Sequence, residues 1–152
     1  MGLFDFLFRK SRIIEYPFWG ALLFFKSKTG EGHFKGVYIF KPLNNAIISV
    51  FLKADPSGPT QAHSDFYKSI EDNYPAIKKS IIPVMEDEFG NWQEGFKIKD
   101  FEKEFTLSSI SLPRCETTPI EWELSFDSIH DESHTFTILM KDYEATAVQI
   151  DG

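Results

Sequence analysis

One cysteine, Cys115, is the whole thiol content of the 152-residue chain. No internal disulfide can form, and the expected home is a reducing cytoplasm. Long apolar runs are missing too, since no stretch nears the ~20 apolar residues of a membrane span. The chain has no Walker loop, no G-x-G-x-x-G, no G-x-S-x-G and no C-x-x-C. Those absences remove the strong signatures of phosphate, dinucleotide, acyl-transfer and redox chemistry. Internal repeats and Pro/Gly/Ser-rich linkers are also lacking, so residues 1–152 are expected to form a single domain, a size that supports one core.

Basic charge is in short supply. Sixteen Lys and Arg face 23 Asp and Glu, a net charge of −7. The deficit is uneven: residues 1–53 carry a balance of +5 and residues 54–152 a balance of −12. A nucleic-acid binder concentrates positive charge on one face, so no nucleic-acid partner is expected, and a partner with a basic surface fits better. What is plentiful is phenylalanine, sixteen residues, which makes for a bulky core suited to strands.

The opening MGLFDFLFRKSR puts its basic residues after its apolar ones, the reverse of a secretory signal. Phe6 stands where a myristoylation signal needs Ser or Thr. Leu3, Phe4, Phe6, Leu7 and Phe8 would make a short helix apolar nearly all round, which must bury against something. Its own core is the first choice, before a partner's groove or a membrane interface beside Arg9, Lys10 and Arg12.

From Phe18 the pattern reads as strands. FWGALLFFKS, HFKGVYIFK and NAIISVFLKA are separated by KTGEG (28–32) and by KPLNN (41–45), a five-residue hairpin loop with Pro42 and Asn44-Asn45 at its bend. A three-stranded antiparallel meander is expected. In DPSGPTQ, Pro59 suits a first helical turn after Ser57 or Gly58 as cap. Phe66, Ile70 and Tyr74, with Tyr67 beside them, then share a helical face. A second helix restarts at Pro75, with Ile77, Ile81, Val84, Met85 and Phe89 on one face, a kink or break near 80–83 at Pro83, and Gly90 at its end. Residues 91–105 give no clear period. FTLSSISL, IEWELSFD, HTFTILMK and EATAVQID alternate as strands. In the second, Ile120, Trp122, Leu124 and Phe126 take one face while Glu121, Glu123 and Ser125 take the other. The whole predicts an α+β fold: a mostly antiparallel β-sheet with two helices inserted between the N-terminal meander and a C-terminal group of about four strands.

The densest set of reactive side chains is FDSIHDESHTF, Phe126 to Phe136. On a helix His130 and His134 would share a face as a zinc-binding pair does. No helical period supports that, and the seven residues Asp127–Ser133 read as a flexible hairpin loop, with His134 opening the next strand on the face of Phe136, Ile138 and Met140. Three readings arise: a metal or hydrolytic site on the His130/His134 loop, a recognition loop, and a polar turn. A zinc site needs three or four ligands held by a supporting shell, so no metal, no cofactor and no catalytic residue are expected.

His63 and Asp65 read as helix-start residues, and His33 opens a strand beside two glycines. Arg114 could lower the Cys115 thiol pKa, but no base or oxyanion hole accompanies it. Trp19, Trp92 and the tyrosines are candidates for exposed anchors, with Trp92 favoured because a polar loop flanks it, whereas Trp122 alternates into the core. The expected binding residues are therefore Trp92, Asp127, His130, Asp131, Glu132 and His134.

The ending WELSFD…HTFTILMKDYEATAVQIDG, with its strand alternation and terminal Asp151-Gly152, resembles that of small bacterial proteins of uncharacterised function, some of them of the toxin-immunity type. The resemblance spans roughly the last 35 residues. It implies a small cytoplasmic α+β protein that binds another protein, its acidic side facing a basic partner such as a toxin, with electrostatic complementarity speeding association.

Overall fold

The computed structural model describes residues 11–152; the expected N-terminal helix lies outside the described residues. Eight strands form one sheet: β1 Arg12–Tyr16, β2 Gly20–Lys26, β3 Gly32–Phe40, β4 Ala46–Ala54, β5 Phe105–Leu112, β6 Glu121–Ser128, β7 Asp131–Lys141 and β8 Glu144–Asp151. Their order in the sheet is their order in the chain. Every neighbouring pair is antiparallel except β4 and β5, which run parallel with Ser49 opposite Ser109 and Leu52 opposite Leu112. Parallel neighbours need a long crossover. Here it carries α1 Gln61–Asp72, α2 Tyr74–Gly90 and a single helical turn, α3 Phe101–Glu104. The α+β class and the mostly antiparallel sheet are as the alternation predicts.

Alternation decides which face the helices cover. Leu22, Phe34, Phe40, Leu52, Ile110, Leu124, Phe126, Phe136 and Ile138 are almost wholly buried. They meet the helical stripe of Tyr67, Ile70, Ile77, Ile81 and Met85, which is equally buried. Each such side chain contributes roughly 1.5–3 kcal/mol by leaving water. Aromatic edges lock the layers: Phe40 meets Tyr74 at 5.0 Å, Phe66 meets Trp122 at 5.7 Å and Phe89 meets Phe136 at 4.9 Å between ring centroids. Polar ties add direction. The Tyr67 hydroxyl donates to the Ile39 carbonyl at 2.8 Å, and the Ala145 amide at the outer strand donates to Ser80 Oγ on α2 at 3.0 Å.

The structure corrects five local expectations. The N-terminal group has four strands, because RIIEY forms an outer strand whose five residues are mostly exposed and so carry little burial signal. α1 begins after Thr60, whose amide donates to His63 Nδ1 at 3.1 Å, making Thr60 rather than Ser57 or Gly58 the cap. α2 runs unbroken through Pro83, which sits on its exposed side. Trp19 is buried at 4% exposure, packed among Phe18, Tyr38 and Tyr67. Finally, Asp127–Ser133 is no long loop: β6 continues to Ser128, β7 starts at Asp131, and only Ile129 and His130 lie between them.

Candidate functional site

The two faces of the sheet are unequal. On the parity that no helix covers among the described residues, apolar side chains of the first four strands stay exposed: Ile13 (73%), Val37 (63%), Ile47 (72%), Phe25, Ile39 and Phe51. Cross-strand pairing sets Ile39 opposite Ile47, while Phe25 lies opposite His33, Val37 opposite Ser49 and Phe51 opposite Lys35. One row can be followed across the entire sheet: Ile13, Leu23, Lys35, Phe51, Ser111, Glu123, Leu139, Ala147. It passes from apolar and basic, through the small hydroxyl of Ser111 and the acidic Glu123, to apolar again at Leu139 and Ala147. Exposed apolar side chains gathered on one sheet face point to an interaction surface more than scattered single residues do.

At one end of this face lies a groove of about 810 Å³. Its walls carry Leu23, Phe25, His33, Lys35, Phe51 and Lys53 from β2 to β4, and Ser111, Pro113, Glu121 and Glu123 from the far side of the parallel junction. Phe25 stacks on the His33 ring at 5.3 Å, and Lys35 Nζ sits 5.4 Å from the centre of the Phe51 ring. Phe25 and Phe51 thus offer apolar area beside an imidazole ring and a lysine, while β6 offers carboxylates.

The hairpin tip has a different construction. His130 Nε2 donates to Glu104 Oε1 at 2.8 Å, and Glu104 Oε2 accepts the amides of Lys99 (2.8 Å) and Asp100 (2.6 Å). Glu104 is 8% exposed. Burial alone would raise its pKa, but the hydrogen bonds from Asp100, His130 and Lys99 outweigh it and hold the carboxyl below its ordinary value. Phe89, Phe96 and Phe105 surround the His130 ring. His134 takes another carboxylate, Asp131 Oδ2 at 2.7 Å. Asp131 is lowered chiefly by the Ser133 hydroxyl; burial opposes this, and His134 adds a further lowering. The two histidines therefore anchor to different acids, and no group of three or more metal-ligating side chains forms among the described residues. Glu132 and Asp127 are exposed, and Asp127 lies opposite Thr106 on β5. Trp92 is 53% exposed, with its ring against Phe89 at 5.3 Å. These six residues are thus distributed over a tip, a sheet face and a loop rather than gathered at one point.

Two further candidates resolve as structural. His63 is fully buried, its Nδ1 accepting the Thr60 amide while its Nε2 donates to the Lys53 carbonyl at 2.8 Å. Desolvation lowers its pKa, which suits this neutral tautomer. Arg114 does not activate Cys115. Its guanidinium pairs with Asp55 at 2.5 Å and reaches Glu31 at 3.6 Å, and burial, followed by Glu116, pushes the thiol up to about 12.

Sequence reasoning missed the exposed apolar face. Its signal was present in HFKGVYIFK and NAIISVFLKA, where Val37, Ile39, Ile47 and Phe51 put apolar side chains on the parity opposite the core. Comparison with family models, curated proteins and solved structures gave no match; function is argued from this geometry.

Proposed function

We propose that the chain is a non-catalytic protein-binding module, of the accessory or immunity type, that receives its partner on the open face of the sheet. The observation that carries this reading is the exposed apolar set Phe25, Val37, Ile39, Ile47 and Phe51 on the sheet face that no helix covers among the described residues, with Phe25 and Phe51 also lining the groove. The acidic groups that favour a basic partner, such as a toxin, are Glu121, Glu123 and Asp127 on β6. Neutral apolar contact supplies affinity there, and the carboxylates supply steering and selection.

A selection from a displayed library of protein fragments tests the reading, each binder being re-assayed against a Phe51→Asp/Ile47→Asp protein and an Asp131→Asn protein. Binders are expected to be lost at least tenfold with the first and retained with the second. A set of binders indifferent to Phe51 and Ile47, or sensitive only to the hairpin tip, would overturn it.

A further inference from the structure

The two halves of the open face match each other. In the row that crosses the whole sheet, β1 to β4 supply Ile13, Leu23, Lys35 and Phe51, and β5 to β8 supply Ser111, Glu123, Leu139 and Ala147. Taken inward from the two edges, Leu23 corresponds to Leu139, the cation of Lys35 to the anion of Glu123, and the bulk of Phe51 to the small Ser111. Within one chain these partners stay apart. Lys35 and Glu123 are separated by three strand spacings, roughly 14 Å, and among the described residues neither makes an ion pair. A second copy brings them together. A two-fold axis lying parallel to the strands, between two open faces and over the β4–β5 junction, keeps each row on itself and reverses the strand order. Lys35 of one copy then stands over Glu123 of the other, Leu23 over Leu139, and Phe51 enters the hollow above Ser111.

The next row repeats the match. β3 and β6 run in the same direction, because β4 and β5 are parallel and each is antiparallel to its other neighbour. His33 and Glu121, two residues before Lys35 and Glu123, therefore also stand over one another across the axis, and all four line the groove. Packed sheet faces are about 10 Å apart, a gap that a lysine and a glutamate reaching toward each other close. At the other end of the face the match stops, since β3 there carries Ile39 and β6 carries Asp127. The matched part is about six strands wide and three rows long, roughly 500 Å² per copy, the size of a weak, transient interface. A foreign partner gives no reason for two halves of one face to match each other, whereas a two-fold contact requires it, because the same patch serves both sides. We infer that the groove end of the open face is the contact of a weak two-fold dimer of this chain, with His33 and Lys35 of each copy against Glu121 and Glu123 of the other and Phe51 buried between them. This rests on the open-face reading above and names the occupant of that face in the free protein, which a foreign partner displaces.

Sedimentation equilibrium of the 152-residue chain from about 10 μM to about 1 mM tests this. A monomer–dimer equilibrium with a dissociation constant on the order of 100 μM is expected, and Phe51→Asp should weaken it at least tenfold. Lys35→Glu sets two carboxylates over each other and Glu123→Lys sets two ammonium groups, so each alone should weaken self-association at least tenfold. Mixed in equal amounts, the two variants place opposite charges at both contacts and should dimerise about as tightly as the wild type. The Lys35→Glu/Glu123→Lys double variant should do the same by itself. Recovery on mixing also shows that neither single variant lost its dimer by misfolding. A chain that is monomeric at about 1 mM would overturn the dimer and leave the face to a foreign partner or to residues 3–8 of the same chain; the open-face reading is then decided by the fragment selection. A dimer indifferent to both charge reversals, or one that they weaken without recovery on mixing, would overturn this contact as well.

Discussion

Replacing Glu104 with Ala removes the acceptor for three donors at once: the amides of Lys99 and Asp100 and the His130 ring. A buried donor left unsatisfied costs about 1–3 kcal/mol. Water and local relaxation will rescue part of that at a site beside the surface, so a loss of about 3 kcal/mol is expected. With a urea dependence of about 2 kcal/mol per molar, the unfolding midpoint should fall by roughly 1.5 M. Glu104→Gln keeps one acceptor oxygen for the amides but offers the His130 donor no charge, and should lose about 1–2 kcal/mol. The pH dependence gives a second readout. The folded carboxyl titrates below its ordinary value of 4.5, so its contribution is fully present above that value and is lost as pH falls through the depressed folded pKa. The gap between wild type and Glu104→Gln should therefore be constant near neutrality and narrow below about pH 4.5. Urea titrations monitored by tryptophan fluorescence at pH 7 and pH 4 measure both effects. A Glu104→Ala protein within about 0.5 kcal/mol of wild type, or a gap that widens in acid, would refute the assignment of His130 to holding the tip.

Other consequences are simpler to check. The Tyr74 hydroxyl is buried with no hydrogen-bond partner among the described residues, whereas Tyr67 donates to the Ile39 carbonyl; Tyr74→Phe should be neutral or stabilising by up to about 1 kcal/mol, and Tyr67→Phe destabilising by about 1 kcal/mol or more. Chemical denaturation of the two variants side by side tests the contrast, which fails if both lose equally. With its thiol pushed up to about 12, Cys115 should react with a maleimide at pH 8 on the order of a hundred- to a thousandfold more slowly than a free thiol. A rate near that of free cysteine would contradict its burial. On the open face, Ile47→Ser should change stability by less than about 0.5 kcal/mol, because that side chain is 72% exposed. A larger loss by thermal melting would mean that the face is covered.

Much of this architecture was legible because single elements carry their own period. Ile120, Trp122, Leu124 and Phe126 alternate inward as their spacing requires, and Ile77, Ile81, Met85 and Phe89 make one buried stripe. Short or exposed elements were not legible: Arg12–Tyr16 buries little, and the turn at Ile129-His130 depends on an irregular register between Phe126 and Ser128. Trp19 is buried by Tyr38 and Tyr67, residues far along the chain. The groove was the least legible feature, because it exists only once Phe51 of β4 stands beside Ser111 of β5. That adjacency crosses the helical segment, and no local pattern encodes it. The histidine pair of the C-terminal hairpin misled for the converse reason, since proximity in sequence does not make two rings face each other.

The strand order has one more consequence, for how the chain reaches this state. Seven neighbouring pairs hold the sheet together, and six of them join strands consecutive across short turns. Such contacts close quickly, whereas β4 and β5 must find each other across the whole crossover, a loop whose closure costs entropy before any contact repays it. The two antiparallel halves are thus expected to assemble independently and to zip together late. Until they do, β4 and β5 each expose an unpaired edge, and AIISVFLKA in β4 is an apolar strand that would pair with another copy. Stopped-flow refolding should show this as concentration-dependent loss of native yield, made worse by Ser109→Pro on the facing strand; a yield independent of concentration would argue that the junction forms early.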